Sequence, residues 1–225
     1  MPDLYKKTAI CAAITAVIYL VLFFFFDKPI GLWINDNWSG TWITYWGNHI
    51  SNLANGSYVR LGIALCFILI LIYDPRLKRR WTRSLLYICI SVAIAVVIGD
   101  GLKYLLGRHR PTMLFEQNLY GLHFFSTEWA LNSTPSGHTI RAFSILTSLS
   151  MLYRRFAVVF ISIAILIGVS RVVVTDHYPS DVVFGAFIGV FTALWVYKYF
   201  FREESKSEVS SKSVEVIGGG EYPSC

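Results

Sequence analysis

Three short polar stretches interrupt an otherwise apolar sequence and decide how the rest of the chain folds. They read KYLLGRHRP at residues 103–111, TPSGH at residues 134–138 and SRVVVTDHYPSD at residues 170–181. Together they contain fixed cations, a glycine before a histidine, and a second histidine followed four residues later by a carboxylate. Such side chains are typical of phosphoryl transfer, in which cations hold the phosphate and a histidine attacks it. The apolar remainder is interpreted as the scaffold that brings the three stretches together.

The composition is that of a membrane protein. The chain has 225 residues, of which 55% are hydrophobic and only 15% are charged, whereas soluble domains have about 25% charged residues. The net charge of +6 does not predict nucleic-acid binding, because Lys and Arg are confined to short segments between apolar runs, as the positive-inside rule requires. The four cysteines have neither metal-ligand nor redox spacing.

Six apolar runs are interpreted as membrane-spanning helices. They cover residues 8–26, 58–73, 84–106, 136–153, 156–174 and 181–201. The first run ends in four phenylalanines without a small-residue cleavage pattern, so we interpret it as a retained span and not as a signal peptide. The predicted fold is therefore all-α, a six-span transmembrane helical bundle that forms one integral-membrane domain at residues 1–201. Residues 202–225 are rich in Ser, Lys and Glu and are predicted to form a disordered cytoplasmic tail.

The distribution of positive charge sets the predicted orientation. Six spans place both termini on one side, and most cations outside the three stretches fall on that side, which makes it cytoplasmic. These cations are Lys6, Lys7, Arg76, Lys78, Arg79, Arg80, Arg83, Arg154, Arg155, Arg202, Lys206 and Lys212. The three polar stretches then lie at the outer face. In the first outer loop, Trp38, Trp42 and Trp46 recur every four residues, which predicts one face of a helix lying in the membrane interface.

Lys103, Arg110 and Arg171 are the candidate phosphate ligands. A phosphate ester resists attack because its oxygens are negative, and fixed cations stabilise the charge that develops in the transition state. Lys and Arg are costly within a bilayer unless they face a polar cavity, which favours this role over simple contact with the interface. Asp100, three residues before Lys103, is predicted to pair with it. Arg108 is interpreted differently, as a side chain that only reaches the interface.

The second stretch has the features of an anion-binding helix start. Ser136 is a favourable N-cap, Gly137 permits close approach to the backbone, and free N–H groups at a helix start attract phosphate. His138 is the candidate general acid that protonates the leaving oxygen. Arg141 lies three residues further along the same helix face. It is either an interface residue or a contact for a second anionic group of the substrate, such as another phosphate.

The third stretch contains the candidate nucleophile. His177 and Asp181 are four residues apart, so both can face the same way if a helix begins near Tyr178. A carboxylate bonded to one imidazole nitrogen fixes the tautomer and leaves the other nitrogen free to attack phosphorus.

The three stretches together resemble the signature of the type 2 phosphatidic acid phosphatase superfamily. Its pattern is K-x6-R-P, then P-S-G-H, then S-R-x5-H-x3-D, and every signature position is present here in the same order. The resemblance implies that His177 forms a phosphohistidine, that Asp181 orients it, and that His138 protonates the leaving group. The residues implied to hold the phosphate are Lys103, Arg110, Ser136, Gly137 and Arg171. The resemblance implies no metal and no other cofactor.

The membrane-embedded members of this superfamily act on phosphatidic acid, phosphatidylglycerol phosphate, undecaprenyl pyrophosphate and lipid A phosphate. We therefore expect metal-independent hydrolysis of a phosphate monoester or pyrophosphate on a membrane lipid, at the outer face of a bacterial inner membrane. One alternative is a phosphotransferase that passes the phosphate from undecaprenyl pyrophosphate to another lipid such as lipid A, and the same motifs would serve it. A second alternative is a non-catalytic scaffold or carrier, which degraded motifs would favour.

Overall fold

The computed structural model describes the backbone of residues 2–218 and the side chains of residues 3–199. Within that part of the chain the fold is all-α, as predicted, and the β-structure there is one isolated bridge between Arg108 and Leu122. The predicted tail begins at residue 202. The backbone of the last helix continues to Gly218 and residues 219–225 lie outside the described residues, so the disorder of the tail stays a prediction.

The N-terminal third forms two long helical arms joined by a turn. Helix α1 (Pro2–Val21) continues through a π-helical segment (Leu22–Phe26) into α2 (Asp27–Trp38). Helices α3 (Trp42–Asn52) and α4 (Gly56–Tyr73) follow after a turn in which Gly40 has a φ of +72°. Trp42 and Trp46 lie four residues apart on α3, as predicted, but Trp38 ends the preceding helix, so the prediction that all three share one helix face was wrong for Trp38. The turn at residues 39–41 interrupts the four-residue spacing, and an interfacial location of this segment stays a prediction.

The three polar stretches lie among the remaining helices. These are α5 (Arg80–Leu106), α6 (Pro111–Gln117), α7 (Gly137–Leu152), α8 (Ala157–Val173) and α9 (Pro179–Gly218), with short 3-10 turns at Trp129–Leu131 and Arg154–Phe156. The predicted spans from residue 58 onward agree with these helices to within about four residues at their starts.

Five helical segments of the described chain are long and apolar enough to cross a membrane, so the predicted count of six is not confirmed. They are Asp3–Trp38, Trp42–Tyr73, Arg80–Leu106, Arg154–Val173 and Pro179–Tyr199. The predicted fourth span corresponds to α7, which has 16 residues. At 1.5 Å per residue it is about 24 Å long, shorter than the ~30 Å hydrocarbon core.

Helix α7 lies at the centre of the bundle, where it packs against α5, α8 and α9. Two glycines allow α9 to approach it closely. A Cβ added at Gly189 would lie 2.7 Å from the carbonyl oxygen of Ile140, and one at Gly185 would lie 2.9 Å from that of Ser136. At the start of both helices, the backbone N–H of Ser136 donates to the carbonyl of Asp181 over 3.1 Å. The close packing therefore joins the second polar stretch to the third.

The site is formed where four helix termini meet. Helices α5 and α8 end at this end of the bundle, and α7 and α9 begin there, since Lys103, Gly137, Arg171 and His177 all line one cavity. The three polar stretches, which lie up to 78 residues apart in the sequence, are brought together by antiparallel packing of these helices.

Candidate active site

A cavity of about 790 Å³ opens among these helix termini. Seven of the nine predicted site residues line it, and these are Lys103, Arg110, Gly137, His138, Arg141, Arg171 and His177. The other two, Ser136 and Asp181, are fully buried behind the cavity wall. The structure therefore brings the predicted cations and both histidines to one space.

His177 lies in the turn between α8 and α9 and is 3% exposed. Its Nδ1 lies 3.7 Å from the Oδ2 of Asp181, which is longer than a hydrogen bond. The pKa of His177 is lowered to about 4, mainly by burial; Arg110 and Arg171 also lower it, and Asp181 opposes them. The imidazole is therefore neutral near pH 7, which is the form that can attack an electrophile.

Asp181 is held from several sides. Its Oδ2 accepts hydrogen bonds from the Ser133 hydroxyl at 2.6 Å and from the backbone N–H of Tyr178 at 2.9 Å. Its Oδ1 accepts from Arg108 at 2.5 Å. These donors fix the carboxylate behind His177, whereas the sequence alone predicted only the contact with the imidazole.

Arg108 is the main correction to the sequence analysis. It is 0% exposed and does not reach the membrane interface. One terminal nitrogen contacts Asp181, and the other lies 2.7 Å from the Oδ2 of Asp27, whose side chain is also 0% exposed. A buried guanidinium costs several kcal/mol in desolvation unless it is paired, and two carboxylates meet that requirement here. Opposite charge on both sides keeps the pKa of Arg108 above its ordinary value despite burial.

The cluster of Asp27, Arg108 and Asp181, called here the buried triad, is further enclosed by Ser180 and by aromatic rings. The Ser180 hydroxyl donates to Asp27 and accepts from Arg108, and its backbone N–H donates to Asp27 over 3.1 Å. Four rings lie 4.4–5.8 Å from the guanidinium carbon, and they belong to Tyr19, Phe23, Tyr120 and Tyr178. The triad joins the first helical arm to the candidate catalytic carboxylate.

Arg110 and Arg171 reach the cavity from two sides of His177. Arg110 donates to three backbone carbonyls, those of Trp129, Asp176 and Asn132, at 3.0–3.4 Å. Arg171 donates to the Ser51 hydroxyl on α3 and pairs with Asp176. Three of the five N–H groups of Arg110 are thus used to position it, and two are left to meet a ligand.

Lys103 and Arg141 meet over the start of α7. A Cβ added at Gly137 would lie 3.0 Å from Nζ of Lys103 and 3.3 Å from a terminal nitrogen of Arg141. Gly137 therefore leaves the space that both cations need near the helix N-terminus. The predicted pairing of Asp100 with Lys103 is present at 3.6 Å. Ser136 stands at the N-cap position, but its hydroxyl makes no cap hydrogen bond and accepts one from Thr139 instead.

Several residues that shape the site were not predicted from the sequence. They are Asp27, Ser51, Arg60, Ser133 and Asp176, together with the corrected Arg108. A signal existed for two of them. A charged side chain within a membrane is costly unless it has a polar partner, and this argument identified Lys103 as a candidate ligand. The same argument applies to Asp27, which follows an apolar run, and to Arg108.

The described residues contain no group of three or more His, Cys, Asp or Glu side chains placed to hold a metal ion. Metal independence stays a prediction, and a chelator experiment tests it.

The sequence is similar to that of curated proteins over about half of its length. It is 34% identical to a lipid A 1-phosphatase of Rhizobium johnstonii over 112 residues, which cover 48% of this chain and 46% of that protein. The chain spans about half the length of this relative and of a similar lipid A 1-phosphatase from Rhizobium etli.

Two solved structures share the fold. The crystal structure of LpxE from Aquifex aeolicus has a TM-score of 0.59 and 23% identity, and the match covers 78% of this chain and 97% of that one. The crystal structure of a transmembrane PAP2-type phosphatidylglycerolphosphate phosphatase from Bacillus subtilis has a TM-score of 0.53 and 19% identity. That match covers 88% of this chain and 94% of the other.

A family model agrees with the motifs and the fold. The model of the PAP2 superfamily matches residues 84–205, which is more than half of the chain and includes all three polar stretches. The chain therefore belongs to the PAP2 superfamily, which the resemblance of its motifs had predicted.

Proposed function

We propose that this chain hydrolyses a phosphate group on a membrane lipid through a covalent phosphohistidine at His177. One observation carries the proposal: the buried His177 shares a cavity with Lys103, Arg110, Arg171 and a second histidine, His138. The names of the similar proteins, a lipid A 1-phosphatase and a phosphatidylglycerolphosphate phosphatase, support the same reaction class.

In the first step, the three cations bind the phosphate oxygens and stabilise the charge that develops on them. Because Nδ1 of His177 faces Asp181, Nε2 is the nitrogen that attacks phosphorus. A phosphorus–nitrogen bond forms as the bond from phosphorus to the lipid oxygen breaks. The electron pair of the broken bond stays on that oxygen, which takes its proton from His138; this imidazole becomes protonated when the anionic phosphate binds among the cations.

In the second step, water replaces the lipid alcohol. His138, now neutral, accepts a proton from the water as its oxygen attacks phosphorus. The phosphorus–nitrogen bond breaks, inorganic phosphate leaves, and His177 is neutral again. Asp181 keeps the imidazole oriented in both steps and its own carboxylate stays fixed by Ser133 and Arg108.

We place the site at the outer face of the membrane, with both termini in the cytoplasm. The support is the charge at the opposite end of α7 and α8, where Arg154 and Arg155 form the connecting turn. Cations of that kind favour the cytoplasmic side. A substrate lipid would keep its chains in the bilayer and insert only its headgroup between the helix termini.

The proposal is tested by phosphate release from the detergent-purified protein. The substrates are phosphatidic acid, phosphatidylglycerol phosphate, undecaprenyl pyrophosphate and lipid A, each with a chelator present. We expect release by the wild type and by Arg154→Gln, a matched change outside the cavity, and no release by His177→Ala.

Release that persists in His177→Ala would contradict the nucleophile, and release that stops with chelator would contradict metal independence. Two further results have separate meanings. If phosphate reaches an added acceptor lipid instead of water, the chain is a phosphotransferase. If neither release nor transfer occurs in a correctly folded protein, the enzyme proposal fails and the carrier hypothesis takes its place.

A further inference from the structure

The cavity is wider than one phosphate group requires, and its second part is also cationic. Beyond the cations next to His177, the lining includes Arg60 of α4 and Arg141 of α7. A Cβ added at Gly56 would lie 3.3 Å from a terminal nitrogen of Arg60 and 3.5 Å from the guanidinium carbon of Arg141. The two guanidinium groups therefore converge over one glycine. We call this part of the cavity the Arg60–Arg141 subsite.

The subsite adjoins the phosphate position directly. One terminal nitrogen of Arg141 also lies close to the start of α7, where Lys103 approaches Gly137. Arg141 is three residues after His138, so the two side chains share a helix face. A group bound by Arg141 is thus a neighbour of the oxygen that His138 would protonate.

The donors of the subsite have few protein partners. Arg141 is positioned by one hydrogen bond, from its Nε to the carbonyl of Ala54 at 2.9 Å. Arg60 donates from one terminal nitrogen to the Ser57 hydroxyl at 3.2 Å. Among the side chains of residues 3–199, no hydrogen bond is present for the terminal nitrogens of Arg141 and no carboxylate pairs with either arginine.

The net charge of the cavity also indicates that it can bind more than one phosphate group. Five cations and two carboxylates line it, so its net charge is positive by three when the histidines are neutral. Asp100 is paired with Lys103, and Asp176 is paired with Arg171. A phosphate monoester carries about −1.5 to −2 at pH 7, which leaves positive charge uncompensated at the subsite. A second phosphate would supply the missing negative charge.

We propose that the Arg60–Arg141 subsite binds the inner phosphate of a lipid diphosphate, so that the chain prefers diphosphate esters to monophosphate esters. This inference rests on the proposed function. His177 attacks the outer phosphorus, and the bond between that phosphorus and the bridging oxygen breaks. The bridging oxygen keeps the electron pair and takes the proton from His138. Arg141 and Arg60 hold the departing lipid monophosphate, and water then releases the outer phosphate from His177.

The experiment compares two lipids with the same chain, one a diphosphate and one a monophosphate. We expect the wild type to have the higher kcat/KM on the diphosphate. In Arg141→Gln, the ratio of kcat/KM on diphosphate to that on monophosphate falls at least tenfold, which corresponds to about 1.4 kcal/mol. Arg60→Gln lowers the ratio less, because Arg60 is more exposed. Arg154→Gln, the same change outside the cavity, keeps the wild-type ratio.

A binding measurement separates this inference from the proposed function. In His177→Ala, which cannot form the phosphoenzyme, pyrophosphate should stabilise the protein against heat more than phosphate at equal concentration. Arg141→Gln in that background should remove the difference. An equal loss on both lipids, or an unchanged ratio and an unchanged difference in stabilisation, would overturn the subsite. Those results would leave hydrolysis at His177 intact. If the wild type released no phosphate from either lipid, the proposed function itself would be overturned.

Discussion

Arg108 and Arg110 are two residues apart, and yet they belong to two regions with opposite properties. Arg108 is fully buried between Asp27 and Asp181, with four aromatic rings around it. Arg110 is held by backbone carbonyls and by the ring of Trp129, and it lines the open cavity. The first charge is neutralised by the protein, and the second is left to be neutralised by a ligand.

The difference separates two uses of the same side chain. In the buried triad, every charge meets an opposite charge, so the geometry is fixed and no ligand is required. In the cavity, Arg110 and Arg141 are positioned by carbonyl groups, which orient them without cancelling their charge, whereas Lys103 and Arg171 each pair with one carboxylate. Substitutions in the triad should therefore reduce stability first, and substitutions in the cavity should reduce turnover first.

The largest effect on stability is expected for Arg108→Gln. The change leaves Asp27 and Asp181 as two buried carboxylates without a cation, and breaking a buried ion pair in this way costs about 3–5 kcal/mol. The measurement is equilibrium unfolding in detergent, with Arg154→Gln as the control for loss of one positive charge. A variant as stable as that control would show that the triad does not stabilise the fold.

Arg110→Gln should reduce turnover strongly and stability only slightly. Removal of one preorganised donor to a transition state costs about 10²–10³-fold in kcat. The loss in unfolding free energy should be only about 1–2 kcal/mol, because the carbonyls that lose a donor belong to residues that line the open cavity. Both quantities are measured on the same preparation as Arg108→Gln. If Arg110→Gln lost more stability than Arg108→Gln, the distinction between the two regions would be wrong.

Asp27→Asn tests the part of the triad that is farthest from the chemistry. Arg108 keeps Asp181 as its partner, so the expected loss in unfolding free energy is about 1–3 kcal/mol, less than for Arg108→Gln. We expect kcat to fall less than tenfold, because Asp181 remains fixed by Ser133 and the backbone of Tyr178. The readout is kcat beside KM for the same lipid. A fall in kcat as large as that of Arg110→Gln would mean that Asp27 positions the catalytic carboxylate directly.

The stability of the fold should also depend on pH through His177. Burial lowers the pKa of His177 to about 4, below its ordinary value of 6.5. The unfolded chain therefore binds more protons than the folded chain between these two values, and stability contributed by His177 is lost as the pH falls from about 6.5 to about 4. Unfolding measured across that window should be less pH-dependent in His177→Gln than in the wild type. An unchanged dependence would show that His177 is not held neutral by burial.

The sequence predicted most of the scaffold, because membrane helices have a strong local signal. The apolar runs located α4, α5, α8 and the start of α9 to within a few residues. The signal failed where its physical basis is absent. Helix α7 was located to within one residue, but it is short and carries buried Ser and Thr side chains, so it is not among the five helices of the described chain that are fit to cross a membrane. The turn at residues 39–41 has no apolar pattern that marks it.

The candidate site was predicted at its motif positions and at Arg141. Lys103, Arg110, Arg171, His138 and His177 could be named because their residue types and spacings are specific, and the structure places them around one cavity. The partners of Arg108 could not be named, since Asp27 and Asp181 lie 81 and 73 residues away in the sequence. No local spacing reports contacts of that range, and only the packing of the first helical arm against α9 creates them.

The most direct test of the account is detection of the phosphoenzyme. The purified protein is mixed with a lipid that carries a labelled phosphate, quenched within the first turnover under alkaline conditions, and mapped by mass spectrometry. The account predicts one labelled peptide, with the phosphate on His177, in the wild type and in Arg154→Gln, and no label in His177→Ala. Label on another residue, or turnover of the lipid by His177→Ala, would contradict it.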